Sequence, residues 1–515
     1  MRRPSVLVVD FGGQYAHLIA RALRGLGVFA ALASASWGVE GVEAEARGLD
    51  VRGVVLSGGP ASVWEASHDD IAEWALGLGV PVLGICYGHQ LLAKILGGRV
   101  DRAPRGEFGP TVVEVLEEDV ILRGLPRRLR VWMSHNDAVL EAPPGARVLA
   151  VSPGSPVAAF EYRREGLPPV HGVQWHPEVA HSEGGLSLLR NWAEQTGLLG
   201  TWRPGDVIGE LVEYVRSRVG DGRAVAAVSG GVDSTVAAVI AKKALGDRLT
   251  PIFIDHGLHP EGEVERALGL LRASGLDPLV VDASDEFLEA LRGVSDPEEK
   301  RRIVGRVYAE VLHREARRLG AGYLVQGTIY PDVIESGARP GADVIKTHHN
   351  VGGLPRDLGL VVVEPLRWLY KDEVRVIAGR LGLPQGLLEK QPVPGPGLAV
   401  RIEGEVTREK LAIARRADAI VREVIESRGL HRGLWQYFAV LTASRATGVK
   451  GDRRSYGYVV AVRVVESREA MTANPARLPW EVLEEIAARI TGEIPAVTRV
   501  VYDITPKPPA TIEWE

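Results

Sequence analysis

Two short stretches carry side chains whose order along the chain could do chemistry: Gly84-Ile85-Cys86-Tyr87-Gly88-His89-Gln90 and Ser229-Gly230-Gly231-Val232-Asp233-Ser234-Thr235. Cys86 is the only cysteine, which excludes an intrachain disulfide framework and any multi-cysteine zinc site. A lone cysteine after an apolar run is most often inert core filler. Gly84 and Gly88 permit something else: a tight strand-to-helix turn that aims a nucleophile outward, where a helix N-terminus favours thiolate over thiol. A thiol nucleophile needs a base, and the base needs an orienter. Trp175-His176-Pro177-Glu178 offers both in one turn stiffened by proline, although a surface-loop histidine two residues from a glutamate is common.

The second stretch suits phosphate. Two glycines at a strand-to-helix turn let backbone N–H groups converge on an anion, and the helix N-terminus adds partial positive charge. Ser229, Ser234 and Thr235 are expected to add hydroxyl donors. Asp233 would repel phosphate unless it lies aside, caps the helix or meets a metal. The plainer alternative is a glycine turn with Asp233 or Ser234 as N-cap. No lysine follows the glycines, so this is not a Walker loop. Gly341…Lys346-Thr347 fails as one because Ile345 stands where the second glycine belongs.

These residues must be positioned by regular elements. Strand-like runs at 5–10, 53–56 and 80–85 alternate with helix-compatible ones, and the pattern restarts with 223–228, 249–255, 279–282 and 323–327. Alternation of this kind predicts α/β architecture: two successive doubly wound, mostly parallel sheet domains, with ligands beyond the strands' carboxyl ends. The Gly- and Pro-punctuated stretch 195–205 reads as a linker, and 391–398 (QPVPGPGL) marks a second boundary. Beyond it, a long amphipathic run at 407–428 and strand-like runs at 456–466 and 497–504 predict a smaller α+β domain. Its last apolar run, into Trp514, is expected to dock. The expected domains are therefore 1–196, 197–391 and 392–515.

Other polar clusters fall at strand ends. Asp255-His256-Gly257 and the stretch 327–332, with Asp332, read equally as ordinary turns. In 346–353 (KTHHNVGG) adjacent histidines would diverge on a strand and no third ligand is evident, so zinc is not favoured. Lys371 opens a helical run that is either a solvated face or a cation close to a reacting phosphate.

At 515 residues the chain accommodates several cores. A formal charge of −5 argues against nonspecific nucleic-acid binding while leaving room for a basic patch. No apolar run is long enough for a bilayer, and residues 1–10 lack a signal peptide's hydrophobic segment and cleavage site. No membrane association is expected, and the expected compartment is cytoplasmic.

The two thiol-site motifs resemble the signatures of the class I glutamine amidotransferases, over residues 5–191. The resemblance implies that Cys86 attacks the glutamine amide, His176 transfers the proton and Glu178 orients His176. It also implies an oxyanion hole from the Gly59 and Tyr87 amides, with Gln90 helping to hold glutamine. Ser134-His135-Asn136-Asp137 looks like a loop of that family near the active site, with His135 structural. Ser229 to Thr235 resembles the pyrophosphate loop of the ATP pyrophosphatases. Together with 346–353, 394–401 (PGPGLAVR), Gly451-Asp452 and 503–515 (DITPKPPATIEWE), the whole chain resembles the glutamine-hydrolysing GMP synthetase family. That implies adenylation of xanthosine 5′-monophosphate (XMP) at O2 by ATP with Mg²⁺, then amination at C2 by ammonia. It further implies dimerisation through the C-terminal domain, XMP-pocket roles for Lys507 and Glu513, and a nucleotide contact for Asp332. His256, Pro260, 442–447 (TASRAT) and Lys450 depart from the family's pattern. The alternatives are another glutamine-fed adenylating amidase, such as an NAD synthetase, and a non-catalytic scaffold on the same fold.

Overall fold

Uninterrupted apolar runs build the centres of the sheets. Val6–Val9, Val54–Leu56 and Val82, Leu83 and Ile85 are fully buried, as expected of parallel strands covered on both faces. The computed structural model describes residues 2–65, 68–335, 359–388, 390–467 and 472–515. The stretches 341–347 and 346–353 singled out above lie outside the described residues.

Residues up to Arg203 make one compact unit. Its strands are β1 (Arg3–Asp10), β2 (Ala30–Ser34), β3 (Leu49–Leu56), β4 (Val82–Ile85), β5 (Arg99–Val115), β6 (Arg128–Glu141), β7 (Arg147–Val151), β8 (Ala159–Tyr162) and β9 (Val170–Val173). They lie in the spatial order β2-β1-β3-β4-β9-β8-β7-β5-β6. The β2-to-β9 part is parallel, and β8, β7, β5 and β6 continue it antiparallel. Ser134–Asp137, expected as a loop, lies inside β6. The reason is period-two alternation: Leu129, Val131, Met133 and His135 point inward while Arg128, Arg130, Ser134 and Asn136 are exposed. His135 thus occupies a core-facing position on a half-buried strand.

The chain from Pro204 onward packs as a second compact unit. Strands β10 (Ala224–Ala227), β11 (Leu249–Asp255), β12 (Leu279–Asp282), β13 (Tyr323–Val325) and β14 (Val361–Val363) form an all-parallel sheet in the order β12-β11-β10-β13-β14. A smaller sheet follows. There β15 (Gln436–Lys450) pairs antiparallel with β16 (Arg453–Glu466), which also takes β17 (Asn474–Pro475) and, in parallel, β18 (Val497–Tyr502). One buried cluster runs from Val225, Ile252 and Leu324 through the helix Pro297–Arg318 to Ile402, Val460 and Val462, so both sheets share a core. That helix starts cleanly because the Asp296 carboxylate accepts from Glu299 N at 2.8 Å and Pro297 follows as its first residue.

Fully buried Lys300, on the same helix, donates to Ile402 O at 2.6 Å and meets Glu515 Oε2 at 2.5 Å. Trp514 packs against Phe438, Val440 and Ala461, which docks the last residues as expected. Among the described residues no helix is long and apolar enough to cross a membrane.

Candidate active site

Cys86 sits between β4 and the helix Tyr87–Ile95 with φ +51° and ψ −104°, a conformation non-glycine residues rarely adopt. The surroundings hold it there. Cys86 N donates to Val173 O at 2.9 Å and Gly88 N to Ser57 O at 3.0 Å. The two flanking glycines are required by close approach: a Cβ on Gly88 would stand 2.1 Å from Leu56 O, and one on Gly84 2.5 Å from Gly88 O. Only 5% of Cys86 is exposed, and its Sγ–H points at Ser134 O, 3.7 Å away.

His176 and Glu178 join it. His176 Nδ1 lies 2.7 Å from Glu178 Oε1, and both side chains are buried. With Nδ1–H donating to the carboxylate, Nε2 is the nitrogen left for the thiol. Burial disfavours charge on His176, but Cys86 and then Glu178 outweigh it and hold the imidazole well above its ordinary pKa. A Cβ on Gly58 would lie 2.9 Å from His176 Cε1 and 3.5 Å from Cys86 Cβ, so thiol and base converge over that glycine. His176 N donates to Trp132 O at 3.0 Å, Ser182 Oγ donates to His176 O at 2.6 Å, and the Tyr15 ring stands edge-on at 4.9 Å.

The partners named for the oxyanion and for glutamine lie around this triad. Tyr87 is the first residue of the helix after Cys86, its hydroxyl 2.8 Å from His68 Nδ1. Burial, and then Asp69, push its phenol up to about 12. At Gly59 a Cβ would strike Phe11 at 2.9 Å, so only glycine fits. Gln90 is buried, and its amide nitrogen donates to Asp137 O at 2.6 Å and Gln174 Oε1 at 3.2 Å, which braces β6.

In the second unit the glycine loop follows β10 and opens the helix Val232–Leu245. Gly230 has φ +71°, and a Cβ there would lie 2.6 Å from Ala267 Cβ, so glycine is needed twice over. Ser229 and Ser234 hydroxyls lie 3.2 Å apart at the exposed mouth of the loop. Thr235 corrects the expectation of three hydroxyl donors. It is fully buried and donates to Gly231 O at 2.7 Å, a brace for the turn, because position 235 faces the sheet like buried Val232 and Val236. Neither Asp233 nor Ser234 caps the helix; Gly231 occupies that position. Burial raises the Asp233 pKa, while Lys371 and then Arg375 pull it down. Lys371 Nζ is 3.7 Å from its Oδ2, and its Oδ1 is buried without a hydrogen-bond partner.

Sequence reasoning missed two residues here. Lys390 Nζ donates to Gly230 O at 2.9 Å and lies 2.6 Å from buried Glu263 Oε1, tethering the loop. No motif or periodicity marks Lys390. Glu263 is the first residue of the helix Glu263–Ala273, and that position is its only signal.

Each of the remaining expected site residues has a local partner. Lys371 stands at the loop through Asp233. Asp332 Oδ2 accepts from Ile329 N at 2.9 Å, at the start of the short helix Tyr330–Glu335. Glu513 is gripped in the C-terminal sheet: buried Arg401 reaches both its oxygens, at 3.0 and 2.8 Å, and Gln436 Nε2 donates at 3.0 Å. Lys507 pairs through its backbone with Ala473, at 3.1 and 2.7 Å. His256, one of the departures, stacks on His259 at 3.8 Å between ring centroids, and Arg415 donates to the carbonyls of Gly257 and His259.

Three families match along the chain: glutamine amidotransferase class-I over residues 7–196, NAD synthase over 207–327, and the GMP synthase C terminal domain over 423–514. A protein of Aeropyrum pernix named GMP synthase [glutamine-hydrolyzing] is 68% identical over 99% of both chains. One of the same name from Pyrobaculum aerophilum is 52% identical, again over 99% of both. A third of that name, from Thermomicrobium roseum, is 52% identical over 99% of this chain and 96% of its own. On these full-length matches, the chain belongs to the glutamine-hydrolysing GMP synthase family.

Proposed function

We propose that the chain makes GMP from XMP, with glutamine as nitrogen donor and ATP as activator. Cys86 Sγ attacks the side-chain amide carbon of glutamine, His176 delivers a proton to the departing ammonia, and water hydrolyses the thioester to glutamate. The Gly59 and Tyr87 amides take the oxyanion, and Gln90 helps to seat glutamine by holding its wall. At the second site XMP O2 attacks the α-phosphorus of ATP and pyrophosphate leaves. Ammonia then adds at C2, and AMP departs with the former O2. The loop Ser229, Gly230, Gly231, Val232, Asp233 and Ser234, braced by Thr235, binds the leaving phosphates, and Lys371 offsets their growing charge.

The residues present fit Mg²⁺: Asp233 Oδ1 is a buried carboxylate oxygen without a hydrogen-bond partner beside a phosphate loop. When bound with ATP, the ion would neutralise charge on the pyrophosphate. Asp332, Lys507 and Glu513 are proposed for the XMP pocket. Glu513 would act there with Arg401, whose two hydrogen bonds orient it.

We place the domain limits at 1–196, 197–391 and 392–515, and the enzyme in the cytoplasm. A homodimer through the C-terminal domain is part of the same reading. Sedimentation of the purified chain as a monomer at micromolar concentration would refute the dimer.

The observation that carries this reading is the convergence of Cys86, His176 and Glu178 in one unit, with a glycine loop flanked by Asp233 and Lys371 in the other. GMP formation from XMP, ATP-Mg²⁺ and glutamine, with ammonium as the alternative nitrogen source, tests it. Turnover of deamido-NAD in place of XMP would favour the NAD synthetase alternative.

One pH dependence follows from the triad. Because Glu178 helps raise the His176 pKa, Glu178→Gln lowers it, and the imidazolium needed by departing ammonia is lost at lower pH. The alkaline limb of ammonia release from glutamine should move to lower pH, with the maximum rate falling about 10²-fold. An unmoved limb would remove Glu178 from the triad.

A further inference from the structure

The strand β6 touches Cys86, His176 and Gln90 through its backbone. Trp132 O accepts from His176 N, Ser134 O from Cys86 Sγ, and Asp137 O from Gln90 Nε2. Its place is set against β5, where the register shifts between Arg102 and Glu107. The first cross-strand pair after that irregularity is Glu107 with His135, and both side chains are buried, at 5% and 2% exposure.

Every polar contact of this pair is internal. Glu107 Oε2 lies 3.1 Å from His135 Nε2 and accepts from Ser152 Oγ at 2.7 Å, and Oε1 accepts from Gly154 N at 3.0 Å. The other ring nitrogen, Nδ1, lies 2.9 Å from Asp137 O. Both nitrogens of His135 therefore face pure acceptors, a carboxylate and a carbonyl. Two hydrogen bonds require two ring protons, or a proton shared between Nε2 and Oε2.

We infer that Glu107 and His135 form a proton-bridged cross-strand clip that positions the Ser134 and Asp137 carbonyls against Cys86 and Gln90. They are positioning residues for glutamine hydrolysis, with no part in the adenylation half. A β-bulge bends its strand and re-aims the residues beside it, and a displacement of about 1 Å at a reacting group costs on the order of 10²-fold in rate. The inference rests on the glutaminase reading of Cys86.

The experiment compares the full-length protein with Glu107→Ala and Glu107→Gln. Glu107→Ala should cut kcat for glutamine hydrolysis about 10-fold or more and raise KM, since Gln90 loses its anchor, while ammonium-driven GMP formation stays within about twofold. Glu107→Gln can still accept from Gly154 and can donate to a neutral His135, so it should recover most of the loss. In histidine-¹⁵N spectra, the resonances that His135→Gln removes should report both nitrogens protonated in the parent protein and one in Glu107→Gln. If Glu107→Ala hydrolyses glutamine as the parent does, or loses ammonium-driven synthesis to the same extent, the clip is wrong. A singly protonated His135 with no proton shared with Glu107 also overturns it. A parent protein that releases no ammonia from glutamine would defeat the glutaminase reading and the clip with it.

Discussion

Cys86→Ala is expected to lower glutamine-driven GMP formation by about 10⁴-fold or more while leaving ammonium-driven formation within about twofold. The thiol is the proposed nucleophile for the amide, and no other cysteine exists in the sequence to replace it. Positioning and oxyanion contacts alone leave a small residual rate, which sets the floor. Folding should survive, because alanine keeps the Cβ against Gly58 and loses only one buried sulfur. The strained backbone at position 86 is held by its neighbours' hydrogen bonds and does not depend on the side chain. Ammonium must be supplied at alkaline pH, where enough of it is the neutral nucleophile. AMP release with each nitrogen source is the measurement. Equal loss with both would mean that Cys86 serves the nucleotide reaction or the fold, and the assignment of separate tasks to the two units would fail.

Much of this arrangement is legible in the sequence because it rests on local backbone rules. The glycines around Cys86 and Gly230 mark places where chain segments approach too closely for any side chain, and such positions stand out in a sequence. The parallel strands are legible as continuous apolar runs, as at 249–255 and 279–282. The β5–β6 hairpin is harder to see, although its alternation of Leu129, Val131 and Met133 with arginines is a strand signal. Family resemblance points to a loop at 134–137, and there the alternation is the better guide.

Long-range pairings are the other blind spot. Lys390 meets Gly230 across 160 residues, and Arg401 meets Glu513 across 112. No spacing rule reaches such distances, since they depend on how whole elements pack. Thr235 shows the complementary error. Its type suits a phosphate, but its helical position turns it toward the sheet, and burial decides.

Asp233→Asn should produce the mirror image of Cys86→Ala: a fall of about 10²-fold in GMP formation from glutamine and from ammonium alike, with a higher Mg²⁺ requirement. Labelling of Cys86 by a glutamine-like electrophile should be unchanged. Two roles for this carboxylate predict opposite signs. As a mere counter-ion to Lys371, 3.7 Å away, it weakens the positive potential that ATP meets, so neutralising it should tighten ATP binding. As a ligand for the nucleotide's metal it is required, and an amide oxygen carries too little charge to replace it. The structure favours the second role on two counts. Burial raises the Asp233 pKa despite Lys371 and Arg375, so keeping it ionised costs free energy that the ion pair does not fully offset. Its second oxygen, meanwhile, is shielded from water and accepts no hydrogen bond, a cost that a bound cation would remove. Pyrophosphate release from XMP and ATP, followed across a Mg²⁺ titration, separates the two. A lower KM for ATP with kcat unchanged would make Asp233 a counter-ion, and the metal would then have to be held by the nucleotide alone.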